Sequence, residues 1–237
     1  MRVLPTAVRS LVVVVVLAGV LSDPAATFAD PRFTLAGLGG KLVYFTIQSN
    51  LLLAAVAAWS VVAEVRHRPG PSAWFVGGAA FFVTITFAVY NTVLVPGGGD
   101  GAVLLLSGRP SSDLLHVVAP LLALLDWVLL RPHPGAGARR SLLWLVYPVL
   151  YFVFVLVRGA LTTGPPHYPY PFVDVDELGY GGVALSFAVL APSFAVLALG
   201  FAGLDHLLGR RRALSGGTPP AGRGSGAAGD VAAPPRG

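Results

Sequence analysis

The chain has 237 residues, of which 55% are hydrophobic and only 11% are charged, and its mean hydropathy is +0.74. Soluble domains carry about 25% charged residues, so this composition excludes a water-soluble globular protein. The net charge of +5 comes from arginines that lie between apolar segments and in the tail, which indicates membrane topology rather than nucleic-acid binding. The sequence contains no cysteine, which excludes disulfides, thiolate metal ligands and a cysteine nucleophile.

Six apolar segments, each close to the roughly 17–25 residues that cross a bilayer, follow one another along the chain. Backbone groups in lipid must pair within their own segment, so each segment is predicted to be a helix. The fold class is therefore all-α, a polytopic integral membrane protein with one domain over residues 1–212. Its Gly-, Pro- and Ala-rich tail, 213–237, is predicted to be disordered. The helices are predicted over residues 3–22, 42–64, 73–95, 114–130, 142–162 and 182–208.

The first segment has two interpretations. Arg2 and Arg9 beside a short apolar core, followed by "TFAD" at 27–30, are typical of a signal peptide cleaved after Ala29. The uninterrupted valine run is also compatible with a retained transmembrane helix. Both interpretations place residue 30 on the same side of the membrane.

The basic residues predict the orientation of the helices. Twelve of the 16 Lys and Arg residues fall on one side of the predicted membrane, and the other four are Arg32, Lys41, Arg109 and Arg158. Since the side richer in basic residues is normally cytoplasmic, both termini are expected in the cytoplasm if helix 1 is retained. The localisation that follows is the cell membrane.

Polar side chains interrupt the outer end of the second helix, in "YFTIQSN". Thr46, Ser49 and Asn50 follow the i, i+3, i+4 spacing and share one face. Gln48 points about 160° away from Asn50. In isolation, a threonine here most often bonds back to its own helix, and an asparagine ties helices together.

The predicted topology brings polar groups of the other helices to the same depth. Tyr90 and Asn91 end helix 3, His116 begins helix 4, and Arg158 ends helix 5 just before the loop "HYPYPF" with Tyr170. Alone, these residues would be interfacial, snorkelling or aromatic-belt side chains. Together with Thr46 they form one layer, and ionisable groups inside a membrane are functional candidates. Glu64, His67, His133 and His206 are expected to be solvated at the inner side, and Asp126 to be structural.

The layer contains the groups that acyl transfer requires. A hydroxyl attacks, an imidazole takes its proton, and amides or cations stabilise the oxyanion. The sequence has no GxSxG elbow, P-loop or GxGxxG motif, and its histidines lack metal-binding spacing, so no metal or cofactor is predicted.

These segments resemble the androgen-induced membrane protein family, multipass threonine hydrolases of fatty acid esters of hydroxy fatty acids, and in particular an actinobacterial branch of six-helix proteins. The resemblance is carried by "GGKLVYFT" with "QSN", "AVYNTVL", "HVVAPLLALLDW", "YPVLYFVFVLVRG" and "YPYPFVD". It implies that Thr46 is the nucleophile and His116, before Pro120, its partner. The bacterial "QSN" and "RG" features depart from the animal pattern, so the substrate does not follow from the resemblance.

The sequence therefore predicts a membrane-embedded lipid-ester hydrolase with a Thr46–His116 dyad near the outer leaflet. Asn50 or Arg158 is expected to hold the oxyanion, or Arg158 a substrate carboxylate, and the loop to cover the site. Membrane lipids, including a fatty acid ester substrate, are the expected partners, and nucleic acid is not. The alternative is a lipid- or ion-handling or structural membrane protein without enzymatic activity. The substrate-binding candidates are Gln48, Asn50, Tyr90, Asn91, Arg158 and Tyr170.

Overall fold

The computed structural model describes residues 3–21, 40–94, 110–135, 137–162 and 167–215, and the regular secondary structure in these ranges is entirely helical. Six helices there are long and apolar enough to cross a membrane, which confirms the predicted fold class. Most of the predicted tail lies outside the described residues, although the last helix includes residues 213–215. The helices are α1 Val3–Leu21, α2 Phe45–Val65, α3 Ala73–Leu94, α4 Ser111–Leu130, α5 Ala138–Leu161 and α6 Val175–Ser215.

Helix α3 forms the centre of the bundle. It packs against α2, α4 and α6, and its Phe81 and Val83 are completely buried. The outer faces of α5 and α6 remain apolar and exposed, as at Leu150 and Leu185. Such faces suit contact with lipid tails, because hydrocarbon imposes no cost on exposed apolar side chains.

Helix α1 packs against the bundle along one of its faces. Val12 and Val16 are buried against the other helices, and α1 lies along α2 and α4. Lys41 donates to the carbonyl of Val20 at 3.2 Å, which satisfies a backbone acceptor near the end of α1.

A largely buried charge network joins the N-terminal half of α1 to the C-terminal ends of α2 and α4. The guanidinium of Arg9 contacts Glu64 and donates to Asp126 at 3.0 Å, and Arg131 donates to the other Asp126 oxygen at 2.6 Å. Glu64 is thus only partly solvated, with 26% of its side chain exposed, because α1 brings a cation to it. The expectation that His133 is solvated is wrong, because this residue is buried and bonds to Asp205 of α6 at 2.9 Å. His67 and His206 are exposed as expected.

Helix α2 begins later than predicted, and this changes the position of Thr46 within the helix. The helix begins at Phe45 rather than near Leu42, because Tyr44 has an extended backbone, with φ −83° and ψ 130°. Thr46 therefore lies in the first turn, not a full turn inside the helix. Amide groups of a first turn have no acceptor within the helix, so they are available to other groups.

The loop after α5 joins α6 earlier than predicted. The carboxylate of Asp174 accepts from the amides of Asp176 and Glu177, at 2.9 and 3.3 Å, and so caps a first helical turn. The backbone then leaves the helical region at Gly179, whose φ of 64° favours glycine. The predicted start at Gly182 corresponds to the straight part of α6 after this break.

Candidate active site

Thr46 and His116 meet at one end of the bundle. The Oγ1 atom of Thr46 lies 3.2 Å from Nε2 of His116, although the residues are 70 positions apart in the chain. Thr46 is buried, with 8% of its surface exposed. The distance lies at the long end of a hydrogen bond, as is common for catalytic pairs without substrate.

The other ring nitrogen of His116 determines which tautomer faces Thr46. Nδ1 lies 2.9 Å from the backbone carbonyl of Ser112, which can only accept, so Nδ1 carries the proton of the neutral imidazole. Nε2 is then left with a lone pair directed at the threonine hydroxyl. This is the arrangement that a general base for Thr46 requires.

An aromatic ring holds the imidazole from one side. Tyr90 stacks on His116 with 4.1 Å between ring centroids, and its hydroxyl bonds to the hydroxyl of Ser112 at 3.0 Å. Tyr90 therefore orients His116 instead of lining the cavity described below. Ser112 was not among the predicted residues, although its position one turn before His116 in "SSDLLH" was a usable signal.

The local backbone around His116 is π-helical rather than α-helical. The segment Leu114–Val118 has this geometry, and the amide of Ala119 bonds to the carbonyl of Leu114, five residues earlier. Pro120 contributes to this change because it has no amide hydrogen for the carbonyl of His116, four residues before it. Tyr90 begins a second π-helical segment, Tyr90–Leu94. Such segments occur frequently at functional sites.

Asn50 ties the two helices of the dyad together. Its side-chain amide donates to the carbonyls of Thr46, at 2.9 Å, and Leu115, at 3.1 Å, and the residue is completely buried. Both amide hydrogens are thus used below the threonine. The predicted role of Asn50 as oxyanion donor does not fit this geometry, whereas a role in spacing α2 and α4 does. Ser49 bonds to Thr86 at 3.1 Å and links α2 to α3 in the same way.

The loop after α5 places Tyr170 over the start of α2. The Tyr170 hydroxyl lies 3.4 Å from the amide nitrogen and 3.4 Å from Oγ1 of Thr46. Its ring stacks on Phe172 with centroids 5.2 Å apart. Burial raises the pKa of Tyr170 above its ordinary value, so the hydroxyl keeps its proton at neutral pH.

Arg158 and His167 anchor this loop to the end of α5. Arg158 donates to the carbonyl of His167 at 3.1 Å, and the His167 ring bonds to the carbonyl of Gly159 at 2.6 Å and to the carboxylate of Asp176. Arg158 therefore fastens the loop and does not line the cavity beside the dyad. The ring of Tyr168 lies directly against Gly159, where a side chain would collide with it.

A cavity of about 110 Å³ lies beside the dyad. Its polar lining residues are Thr46, Thr86, His116, Tyr151 and Tyr170. Along α3 its wall runs from Ile85 to Leu94, about 13 Å at 1.5 Å per residue. No charged residue in the described part of the chain lines it. An apolar space with a few polar groups at one end suits an aliphatic ligand with one polar function. Its apolar wall includes Val89, Phe152, Phe187, Leu190, Ala191 and Phe194.

Like Asn50, Tyr90 and Arg158, the predicted residues Gln48 and Asn91 do not line this cavity. Gln48 donates to the carbonyl of Leu42 at 2.6 Å and accepts from Tyr147 at 2.8 Å, on a different face of α2. Asn91 donates to the carbonyl of Phe87 in its own helix at 2.8 Å. Both lie at the predicted depth, but the rotation of their helices directs them elsewhere.

Within the described ranges, no group of three or more His, Asp or Glu side chains could hold a metal ion. Comparisons of the chain with protein-family models, curated proteins and solved structures find no match. The function must therefore be inferred from the geometry of the site.

Proposed function

We propose that the protein is a membrane-embedded hydrolase of lipid esters, with Thr46 as nucleophile and His116 as general base. The observation that carries the proposal is the 3.2 Å contact between Thr46 Oγ1 and the unprotonated Nε2 of His116. A threonine hydroxyl is a weak nucleophile unless an adjacent base accepts its proton. The resemblance of "GGKLVYFT" and "HVVAPLLALLDW" to the androgen-induced membrane protein family supports the same assignment.

The reaction proceeds in two halves. Thr46 Oγ1 attacks the ester carbonyl carbon while its proton passes to His116 Nε2. The tetrahedral intermediate expels the alcohol, which takes the proton from His116, and leaves an acyl-threonine. Water then attacks this ester with His116 again as base. The acid is released, and Thr46 recovers its proton from His116.

The cavity supports a substrate with an aliphatic acyl chain. Its wall is almost entirely hydrocarbon, and the dyad lies at its polar part. Relative to water, each methylene buried there contributes about 0.8 kcal/mol to binding. The same cavity argues against a purely structural role, because polar side chains that only join helices do not need open space beside them.

We further propose that the dyad faces the outer leaflet of the cell membrane and that both termini are cytoplasmic. The support is the distribution of arginines, since Arg66, Arg68, Arg139 and Arg140 flank the helix ends opposite the dyad. Single cysteines placed in this cysteine-free chain would test the orientation. A cysteine at Gly70 should react with an impermeant maleimide only after the membrane is opened.

The function is tested by fluorophosphonate labelling of the purified protein. We expect labelling of the wild type and loss of labelling in both Thr46→Ala and His116→Ala. Thr84→Ala is the matched control, because this α3 threonine bonds only to the Ala80 carbonyl of its own helix and does not line the cavity. Unfolding temperatures should establish that all three variants are folded.

Equal labelling of the wild type and His116→Ala would contradict the dyad. A wild type that neither reacts with the probe nor hydrolyses p-nitrophenyl esters in detergent would contradict the hydrolase. The cavity would then be assigned to lipid binding without a reaction. Binding of a photoreactive fatty acid to the purified protein would test this assignment.

A further inference from the structure

The first turn of α2 presents a backbone amide beside the nucleophile. The amides of Ile47 and Gln48 both bond to the carbonyl of Tyr44, at 3.1 and 3.2 Å, whereas the amide of Thr46 is directed at the Tyr170 hydroxyl. The start of a helix carries the positive end of its dipole. A negative oxygen placed there is stabilised both by this dipole and by the amide hydrogen.

The Tyr170 hydroxyl lies beside the place where charge would develop in ester hydrolysis. It is equally distant, at 3.4 Å, from the amide nitrogen and from Oγ1 of Thr46. A substrate carbonyl whose carbon contacts Oγ1 could place its oxygen within reach of both the amide and the phenol. Contacts of 3.4 Å are long for hydrogen bonds, so a substrate oxygen about 2.8 Å from each donor would form shorter ones.

We propose that the Tyr170 hydroxyl and the Thr46 amide together form the oxyanion hole of the site. The inference rests on the proposed hydrolase function and adds a third catalytic residue to it. Both groups donate hydrogen bonds to the carbonyl oxygen as it becomes an oxyanion, and neither loses its proton. Serine proteases likewise use the amide of the nucleophile itself in this role.

Other donors near the dyad are already committed. The side-chain amide of Asn50 is used by two carbonyls, and Arg158 holds the loop at His167. The Tyr151 hydroxyl donates to the carbonyl of Val43 at 2.9 Å. Among the described side chains that contact Thr46, Tyr170 thus combines a hydroxyl proton with direct access to the cavity.

The proposal is tested with Tyr170→Phe, which keeps the ring that stacks on Phe172. Loss of one oxyanion donor typically lowers kcat by about 10²–10³-fold, and we expect this for p-nitrophenyl octanoate with little change in KM. Tyr147→Phe is the matched control, because its hydroxyl bonds to Gln48 and does not line the cavity. It should retain the wild-type kcat.

A transition-state analogue separates catalysis from structure. An alkyl trifluoromethyl ketone forms an oxyanion on Thr46, so Tyr170→Phe should weaken its binding by about the factor lost in kcat/KM. Binding of the corresponding methyl ketone, which does not form the adduct, should be unchanged. If Tyr170 had only a structural role, Tyr170→Phe would weaken the binding of both ketones equally.

A second variant keeps the hydroxyl and therefore the packing. Replacement of Tyr170 by 3-fluorotyrosine lowers the pKa of the phenol, so the alkaline loss of kcat should move to lower pH. The proposed function fails if His116→Ala is as active as the wild type. The oxyanion hole alone fails if His116→Ala is inactive while Tyr170→Phe keeps, or exceeds, the wild-type kcat.

Discussion

The imidazole of His116 reaches Thr46 through one nitrogen and its own helix through the other. Nε2 is 3.2 Å from the threonine hydroxyl, and Nδ1 is 2.9 Å from the Ser112 carbonyl. The second contact settles the tautomer, and the stacked ring of Tyr90 settles the orientation. A base held in this way loses little freedom when the substrate arrives.

Removal of the Tyr90 ring should leave the His116 imidazole less firmly oriented. An aromatic pair contributes about 0.5–1.5 kcal/mol, so Tyr90→Leu should lower kcat by at most about tenfold. The measurement is steady-state hydrolysis of p-nitrophenyl octanoate. Trp59→Leu, at an exposed position of α2, is the control and should have no effect. An unchanged kcat in Tyr90→Leu would show that the Ser112 contact alone orients His116.

The size of the cavity should set the preferred acyl length. Ala191 of α6 lines the wall, so Ala191→Phe should exclude part of a long chain. Each excluded methylene costs about 0.8 kcal/mol, or about fourfold in kcat/KM, while acetate esters should be unaffected. Val189→Phe is the matched control, since Val189 is 60% exposed on the same helix. Equal losses for acetate and palmitate esters would argue against an acyl chamber.

The loop that carries Tyr170 needs a glycine at position 159. A Cβ there would collide with the Tyr168 ring, so Gly159→Ala should displace the loop and lower kcat about as much as Tyr170→Phe, 10²–10³-fold. Gly200→Ala on α6 is the control, because a Cβ at that position meets no neighbour within 4 Å. Full activity of Gly159→Ala would mean that the loop position is irrelevant to catalysis.

The charge network around Asp126 should contribute to stability and not to chemistry. Asp126→Asn leaves Arg9 and Arg131 without their shared carboxylate, and loss of one partner of a buried ion pair costs roughly 3–5 kcal/mol. We expect a lower unfolding temperature in detergent, with kcat of the folded fraction unchanged. Glu177→Gln, an exposed acid, should be neutral. The same unfolding temperature for Asp126→Asn and wild type would contradict this role.

The attachment of the loop should depend on pH. The hydrogen bond to Asp176 is the largest cause that raises the pKa of His167, whose ordinary value is 6.5. Because the folded pKa is the higher one, the attachment is complete below about pH 6.5 and is lost as pH rises through the raised value. A nitroxide on Pro171→Cys, measured by electron paramagnetic resonance, should therefore become more mobile at alkaline pH.

Two variants complete this pH experiment. With Asp176→Asn, the mobility of the label should already be high at pH 6 and should change little with pH. With His67→Gln, which removes an exposed histidine of the opposite end, the wild-type profile should persist. A wild-type label whose mobility is independent of pH would exclude His167 as the attachment that titrates.

Depth in the bundle could be predicted from the sequence. The lengths of the apolar segments gave the six helices, and the rise of 1.5 Å per residue placed Thr46 and His116 in one layer. No comparable rule gives the rotation of a helix about its axis. Gln48 and Asn91 therefore share the layer without sharing the cavity, because packing against α5 and within α3 decided where they point.

The sequence by itself thus determined the all-α membrane fold and which polar residues lie at the same depth in the bundle. Only the tertiary structure decided that Thr46 faces Nε2 of His116, that Asn50 and Arg158 serve as ties, and that the Tyr170 hydroxyl reaches Thr46. It also decided that Glu64 pairs with Arg9 and that the buried His133 pairs with Asp205. The physical reason is that hydropathy acts on each segment separately, whereas contacts between side chains depend on how segments distant in the chain pack together.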